Sequence, residues 1–140
     1  MRRQLQLFLG GKYHFSATVG KFGLRYIPEG IKACMLLFDV GLHLNSEAVV
    51  MSQHCWTEVS PNVAGFNPHR GDKISFDASI REYYKLNSLG LDRLDYNVGG
   101  LENIDLITRP YVDGLAFSEY WGNVRQSHIF NRANEVPCTA

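Results

Sequence analysis

A strictly alternating stretch near the middle of the chain, residues 71–85, constrains the fold more than any other feature. Apolar residues occupy every second position of its centre, and polar residues fill the positions between them. This period of two is typical of a β-strand with one face on a core and the other in solvent. Gly71 and Asp72 are turn residues that give the strand a defined start. The stretch therefore predicts a long strand in a curved sheet, with its outward face available for binding.

Four other segments also have β-strand character, and they are residues 11–26, 32–44, 48–56 and 101–108. Gly20 and Gly23 interrupt the first, and glycine inside a strand often marks a bulge. The second contains a continuous apolar run, which indicates a strand covered on both faces, and a helical segment fits the same run.

The remaining connections are predicted from their polar and turn-forming residues. Residues 57–70 contain prolines, a glycine and asparagines, which indicate a loop with one helical turn. Residues 86–100 are polar and contain glycine, and we predict a long loop there, a kind of segment that often carries function.

The last 30 residues differ in character from the preceding part of the chain. Apolar residues recur at helical spacing after Asp113, a suitable helix cap, and these are Leu115, Ala116, Tyr120, Trp121, Val124 and Ile129. We therefore expect an all-β unit over residues 1–110 and a short helical extension over residues 111–140. The extension would pack on the β unit or on a partner.

The number and rhythm of the strands are those of an OB-fold, a five-stranded Greek-key barrel. Four blocks between residues 13 and 108, MLLFDV, HCW, GDKISFDASIREY and DRLDYNVGGLENIDLI, resemble small OB-fold proteins of bacterial phages and other mobile elements. Gln53, where the family has an acid, and residues 85–87 and 97–100 depart from the family pattern. The resemblance implies an all-β, OB-like Greek-key barrel, and single-stranded nucleic-acid binding is the activity expected of it.

OB barrels bind single strands by stacking bases on aromatic rings while cations follow the phosphates. Aromatic and basic residues alternate in three segments of this chain, and the predicted nucleic-acid-binding residues are Lys21, Phe22, Arg25, Tyr26, Lys73, Arg81, Tyr83, Lys85, Arg93 and Tyr96. The alternative interpretation is that the tyrosines are packing residues and the cations are a solvated face.

Composition limits the classes of partner. Lysine plus arginine and aspartate plus glutamate number 14 each, so no global field attracts nucleic acid and any basic site must be local. Cys34 and Cys55 lie in apolar runs and, with Cys138, form no CxxC pair, which favours reduced core cysteines in a cytoplasmic protein. No segment has the roughly 20 apolar residues of a membrane span, and the N-terminus lacks a signal-peptide pattern.

The sequence gives little indication of catalysis or of a bound metal or cofactor. His54 and Cys55 are adjacent and would point to opposite faces of a strand, while the other histidines are scattered singly. No nucleophile elbow, P-loop, dinucleotide fingerprint or zinc-protease motif is present. We therefore predict a protein that is not an enzyme and that uses no cofactor.

A protein-interaction module is the alternative function. The aromatic residues between Phe117 and Trp121, with Tyr111 and Phe130, would anchor a host protein or mediate self-association, because tryptophan and tyrosine dominate interface hot spots. The simpler interpretation of the same residues is a terminal helix that packs on the barrel.

Overall fold

A computed structural model describes residues 10–44, 47–86, 92–111 and 113–130, and the side chains of residues 48, 82–86, 92–96 and 128–130 lie outside that description. The elements are β1 (Lys12–Ile27), β2 (Gly30–Leu44), β3 (Glu47–Glu58), α1 (Pro61–Phe66), β4 (Lys73–Leu86), β5 (Asp92–Thr108) and α2 (Phe117–Phe130). The predicted five strands are confirmed, and so are the single helical turn before β4 and the C-terminal helix.

The five strands form one antiparallel sheet in the order β3-β2-β1-β4-β5. Because β4 returns to lie beside β1, the first four strands have the spatial order that defines a Greek key. No backbone ladder joins the edge strands β3 and β5 in the described part of the chain. The Asn97 side-chain amide does donate to the Trp56 carbonyl at 3.3 Å, and we call this contact the β3–β5 seam.

The core lies on one face of the sheet and follows the alternation of the strands. Phe15 and Phe76 are directly paired between β1 and β4, are fully buried, and stack with ring centroids 5.9 Å apart. On β1 the buried positions change parity after Val19, because Gly20 is an extra residue opposite β2. Phe22 is consequently turned inward. The predicted bulge at Gly20 is confirmed, whereas Gly23 is regularly paired with Cys34.

The predicted loop over residues 86–100 is wrong for its second half, because β5 begins at Asp92. The register of β5 against β4 shifts three times, and each shift adds one residue to β5. Gly100 and Asn103 have φ angles of 67° and 49°, values typical of bulge residues. The glycines of this segment thus mark a bulged strand, which the sequence pattern did not distinguish from a turn.

A turn before β4 connects three parts of the fold. The Asp72 carboxylate is fully buried, accepts two hydrogen bonds from Arg109 at 2.8 and 2.9 Å, and accepts a third from the His69 backbone N–H at 2.9 Å. The backbone of Val19 exchanges hydrogen bonds with Gly71 and Asp72, both at 2.8 Å. This turn holds β1 in place immediately before the Gly20 bulge.

The helix termini have identifiable caps. Ser60 caps α1 through its hydroxyl, and Pro61 occupies the first turn. The predicted cap Asp113 is wrong for α2, which begins at Phe117; the side chain of Asn67 instead accepts from the Ser118 backbone N–H at 2.8 Å. Residues 131–140 of the predicted C-terminal extension, with Cys138, lie outside the described residues.

The inward side of α2 is aromatic. Phe117 is 5% exposed, and its ring lies 5.4 Å from that of Phe22 and 6.2 Å from that of Trp121, so α2 packs on the sheet at its first turn. Cys34 and Cys55 are buried in the core, as predicted. Neither helix in the described ranges combines the length and apolarity that crossing a bilayer would require.

Candidate nucleic-acid interface

An aromatic and basic surface lies on the outer face of the sheet. Trp56, Leu36 and Lys21 are successive neighbours across β3, β2 and β1. The adjacent row contains His54, Phe38, Thr18 and Lys73, which extends the surface onto β4. We call the set Lys21, Phe38, His54, Trp56 and Lys73 the aromatic–basic surface.

Phe38 is the most exposed apolar side chain on this surface, and its ring is held in place by Gly20. A Cβ atom at Gly20 would lie 2.2 Å from Cε2 of Phe38, so the ring rests directly on the backbone of the glycine. The side chain is still 40% exposed. One side of the ring thus contacts the sheet while the side chain stays partly accessible, as stacking of a base on it would require.

The bulge at Asp39 explains why Phe38 is outward and exposed. Asp39 has a φ of 51°, and the register between β1 and β2 shifts at this point, so one extra residue stands on β2. The residues from Ala33 to Leu37 and from Val40 to Leu42 are buried, so the prediction of a strand covered on both faces fails at the exposed pair Phe38 and Asp39 between them. Phe38 was missed from sequence because it belongs to the same apolar run. The sequence signal that could have identified Phe38 as exposed is the polar Asp39 and the nearby Gly41, which follow it and interrupt the apolar run.

The cations of the surface are available to a ligand. Nζ of Lys21 lies 5.9 Å from the ring centroid of Trp56, within the range of a cation–π contact. In the described ranges Lys21, Arg25, Lys73 and Arg81 have no carboxylate partner. All four side chains are exposed.

Acidic residues on the same face are mostly paired with bases. Glu58 accepts from Lys32 at 2.8 Å, and Glu102 accepts from Lys12 at 2.7 Å. Asp77 lies 2.8 Å from the Nδ1 atom of His14. The hydrogen bond from Asn103, followed by that from His14, lowers the pKa of the Asp77 carboxyl below its ordinary value. The negative charge of these three carboxylates is therefore locally compensated.

The structure brings some of the predicted binding residues together. Lys21 and Lys73 lie on the aromatic–basic surface, and Arg25 is exposed further along β1. Arg81 lies across Gly99 and Gly100, since a Cβ on either glycine would stand 2.9 Å from its side chain. Arg81 on β4 pairs with Asn97 on β5, and Asn97 bonds to Trp56 on β3 across the β3–β5 seam. Arg81 and Trp56 therefore lie on opposite sides of β5.

Two of the predicted aromatic residues do not lie on the surface. Phe22 is 9% exposed and packs against Phe117 and Tyr120, because the extra residue at Gly20 turns it inward. Tyr26 is half-buried near the end of β1. Stacking by Phe22 is thus excluded by its burial.

The other four predicted residues lie in the β4–β5 hairpin. The backbone of Lys85 pairs with Arg93, that of Tyr83 with Asp95, and that of Glu82 with Tyr96. Arg93 and Tyr96 were predicted on a loop and belong to β5. The side chains of Tyr83, Lys85, Arg93 and Tyr96 lie outside the described residues.

The fold places His54 and Trp56 beside Phe38 and Lys21. Trp56 lies on the outer face of the sheet beside the seam. Within the described residues no group of three or more histidine, cysteine, aspartate or glutamate side chains is arranged to hold a metal ion. A search against protein-family models and one against curated proteins find no match for this chain.

Proposed function

We propose that this chain is a small, non-catalytic OB-like barrel protein of a phage or other mobile element that binds single-stranded nucleic acid in the cytoplasm. The strand order supports the OB-like topology, since a five-stranded Greek-key barrel that is partly open would separate between β3 and β5. The β3–β5 seam lies at that position. The long β1, which leaves β4 at the Gly20 bulge and continues beside β2, is consistent with a barrel strand that bends midway.

The contact between the exposed Phe38 ring and Gly20 is the observation that best supports the proposal. A ring that is supported on one side and accessible on the other can stack a base of any identity, because every base has a π-face. Lys21 and Lys73 stand on neighbouring strands where phosphates flanking such a base would pass. Two cations that have no carboxylate partner among the described residues, together with one ring, suit weak binding of a flexible single strand, whereas the neutral chain lacks the broad basic field of a duplex-coating protein.

Fluorescence anisotropy with a labelled oligothymidine tests the proposal. Phe38→Leu keeps an apolar side chain but removes the π-face, and we expect a loss of about fivefold or more in affinity, since one stacked base contributes about 1–3 kcal/mol. Gly20→Ala should weaken binding similarly, because its Cβ would displace the Phe38 ring.

Two variants serve as matched controls. Tyr111 is 59% exposed and also rests on a glycine, Gly71, outside the aromatic–basic surface, so Tyr111→Leu should bind as the wild type does. Gly122 has open space around its Cβ position, and Gly122→Ala should also be neutral for binding. Absence of binding at low salt, or equal losses in the two sets of variants, would contradict the proposal.

A protein-interaction module that inhibits or recruits a host factor is the second candidate. This second candidate is supported by an exposed apolar segment that begins in the second half of β5. Four of its side chains are between 38% and 59% exposed, and these are Leu106, Ile107, Tyr111 and Leu115. Phe117 and Trp121 are unsuited to anchor a partner, because they pack against the core. Specific retention of a host protein from nuclease-treated lysate, abolished by Tyr111→Lys, would favour this function.

A further inference from the structure

A cluster of two histidines, a serine and an aspartate lies further along the outer face, and we call it the histidine cluster. His14 on β1 is the cross-strand neighbour of His43 on β2 and of Asp77 on β4. The two imidazole rings meet edge to face with centroids 5.3 Å apart. Nε2 of His43 lies 2.9 Å from the hydroxyl oxygen of Ser16.

Each histidine has one ring nitrogen engaged and one available. Nδ1 of His14 is bonded to Asp77, which leaves its Nε2 atom without a partner in the described part of the chain. Nε2 of His43 is bonded to Ser16, and its Nδ1 atom is likewise unclaimed among the described residues. The His14 side chain is 47% exposed, so solvent and ligands reach it.

Protonation changes what this cluster can bind. A neutral imidazole has one donor and one acceptor nitrogen, while an imidazolium has two donors. Once both rings are protonated, Nε2 of His14 and Nδ1 of His43 are both donors, and Nε2 of His43 donates to Ser16, whose hydroxyl hydrogen is free to turn outward. Three donors are then available. In the neutral cluster Nε2 of His14 is an acceptor, and the His43–Ser16 pair has one free donor, either Nδ1–H of His43 or the Ser16 hydroxyl according to the tautomer. The protonated array fits a phosphate group.

The surrounding charges permit this change. Asp77 faces His14 from β4, Lys12 is the next outward residue of β1, and Glu102 on β5 is paired with Lys12. The carboxylate of Asp77 stays ionised at mildly acidic pH and compensates one imidazolium. His43 has no carboxylate partner in the described ranges, so its protonation adds uncompensated positive charge.

We propose that His14, Ser16 and His43 form a proton-gated subsite for a backbone phosphate of the strand held by the aromatic–basic surface. This inference rests on the proposed nucleic-acid binding. Thr18, the β1 neighbour of Phe38, lies four residues from His14, about 13 Å along the strand. The outward residues between Lys12 and Arg25 include no acid, so a bound strand could follow β1 from the platform to the subsite.

The test compares oligothymidine affinity at about pH 8 and about pH 5.8, on either side of the usual histidine pKa. We expect the wild type to bind about three- to tenfold more tightly at the lower pH.

The double variant His14→Asn with His43→Gln keeps polar groups near the bonded nitrogens but cannot titrate. It should lose most of this gain and keep the wild-type affinity at about pH 8. His54→Asn, which changes the histidine of the aromatic–basic surface, should keep the gain.

Any of three results would overturn the subsite: no gain in the wild type, a full gain in the double variant, or loss of the gain in His54→Asn. A second readout separates this failure from failure of the proposed function. Titration of the protein with inorganic phosphate, followed by the histidine ring signals in NMR, should shift His14 and His43 at about pH 5.8 and not at about pH 8. Absence of oligothymidine binding at both pH values would reject the proposed function, and unshifted ring signals would reject the subsite.

Discussion

Asp72 is the residue on which the connections between β1, β4 and the end of β5 converge. Burial raises the pKa of its carboxyl, but the hydrogen bonds from Arg109 and from the His69 N–H, together with the charge of Arg109, outweigh burial and hold that pKa below its ordinary value. The same pairing raises the pKa of Arg109. A buried carboxylate with three charge-assisted or backbone hydrogen bonds is costly to disturb.

We predict that Asp72→Asn lowers the free energy of unfolding at neutral pH by about 2–3 kcal/mol. The estimate stays at the lower end for a buried ion pair because the Arg109 side chain is 35% exposed and can be hydrated. Urea denaturation at neutral pH measures the change. Asp77→Asn is the matched control: that carboxylate is 31% exposed, and its loss should cost less.

The pH dependence of stability provides a second readout of the same residue. A carboxyl whose pKa is lower in the folded state stabilises the fold above its unfolded pKa, and that contribution is lost as pH falls through the folded value. Wild-type stability should therefore fall more steeply below about pH 4 than that of Asp72→Asn. Parallel stability curves for the two proteins would contradict a folded-state pKa below the ordinary value.

Individual residues also show how much of the surface can be predicted from sequence patterns. Lys21 and Lys73 were identified correctly as outward cations. Phe22 was not, since the alternation of β1 changes phase at Gly20 and a period of two cannot show that a residue has been inserted. Phe38 was missed for the same reason, because the Asp39 bulge exposes one end of a run that is otherwise buried.

At the scale of elements, β5 is the strand most shaped by bulges. Its three extra residues relative to β4 increase its coil and bring its beginning to the edge of β3 at the seam. Asn103 stands at one bulge with a φ of 49°, and its side-chain amide donates to Asp77 at 2.8 Å. The asparagine thus provides both a backbone conformation and a contact to the histidine cluster.

We predict that Asn103→Ala destabilises the fold by about 1–2 kcal/mol, because alanine keeps the steric cost of a Cβ in the left-handed conformation and loses the polar side chain with which asparagine offsets it. Asn103→Gly removes the same side-chain hydrogen bond without that cost and should be close to neutral. Thermal unfolding of the two variants separates the backbone effect from the lost hydrogen bond. Equal destabilisation would assign the effect to the bond with Asp77.

The strands themselves were predictable to different degrees. β4 and the first half of β1 follow strict alternation of apolar and polar residues, a pattern that can be recognised directly in the sequence. The first half of β5 was taken for a loop because Gly99 and Gly100 are turn residues in most contexts, and only the pairing with β4 shows that the strand continues through them. The cap of α2 was unpredictable from local sequence, since Asn67 is 51 residues away from Ser118.

At the scale of the whole molecule, zero net charge and a local group of cations determine how binding should respond to salt. The presence of five strands was predictable from the sequence, whereas the lack of a carboxylate partner for Lys21, Lys73, Arg25 and Arg81 within the described ranges depends on which acids the fold places beside other bases. Counterion release counts only the phosphates that a protein neutralises, and each contributes about −0.7 to the slope of log affinity against log salt for a single strand.

We predict a slope of about −1.5 to −3 for oligothymidine binding, because two to four cations are available and no distant field adds to them. Anisotropy titrations across a salt series at about pH 8, the higher of the two pH values used to test the phosphate subsite, measure it. Lys21→Ala and Lys73→Ala should each make the slope shallower by about 0.7, while Phe38→Leu should lower affinity with the slope unchanged. A slope steeper than about −5 would require phosphate contacts over a much larger surface than these four cations cover, and would place binding elsewhere on the molecule.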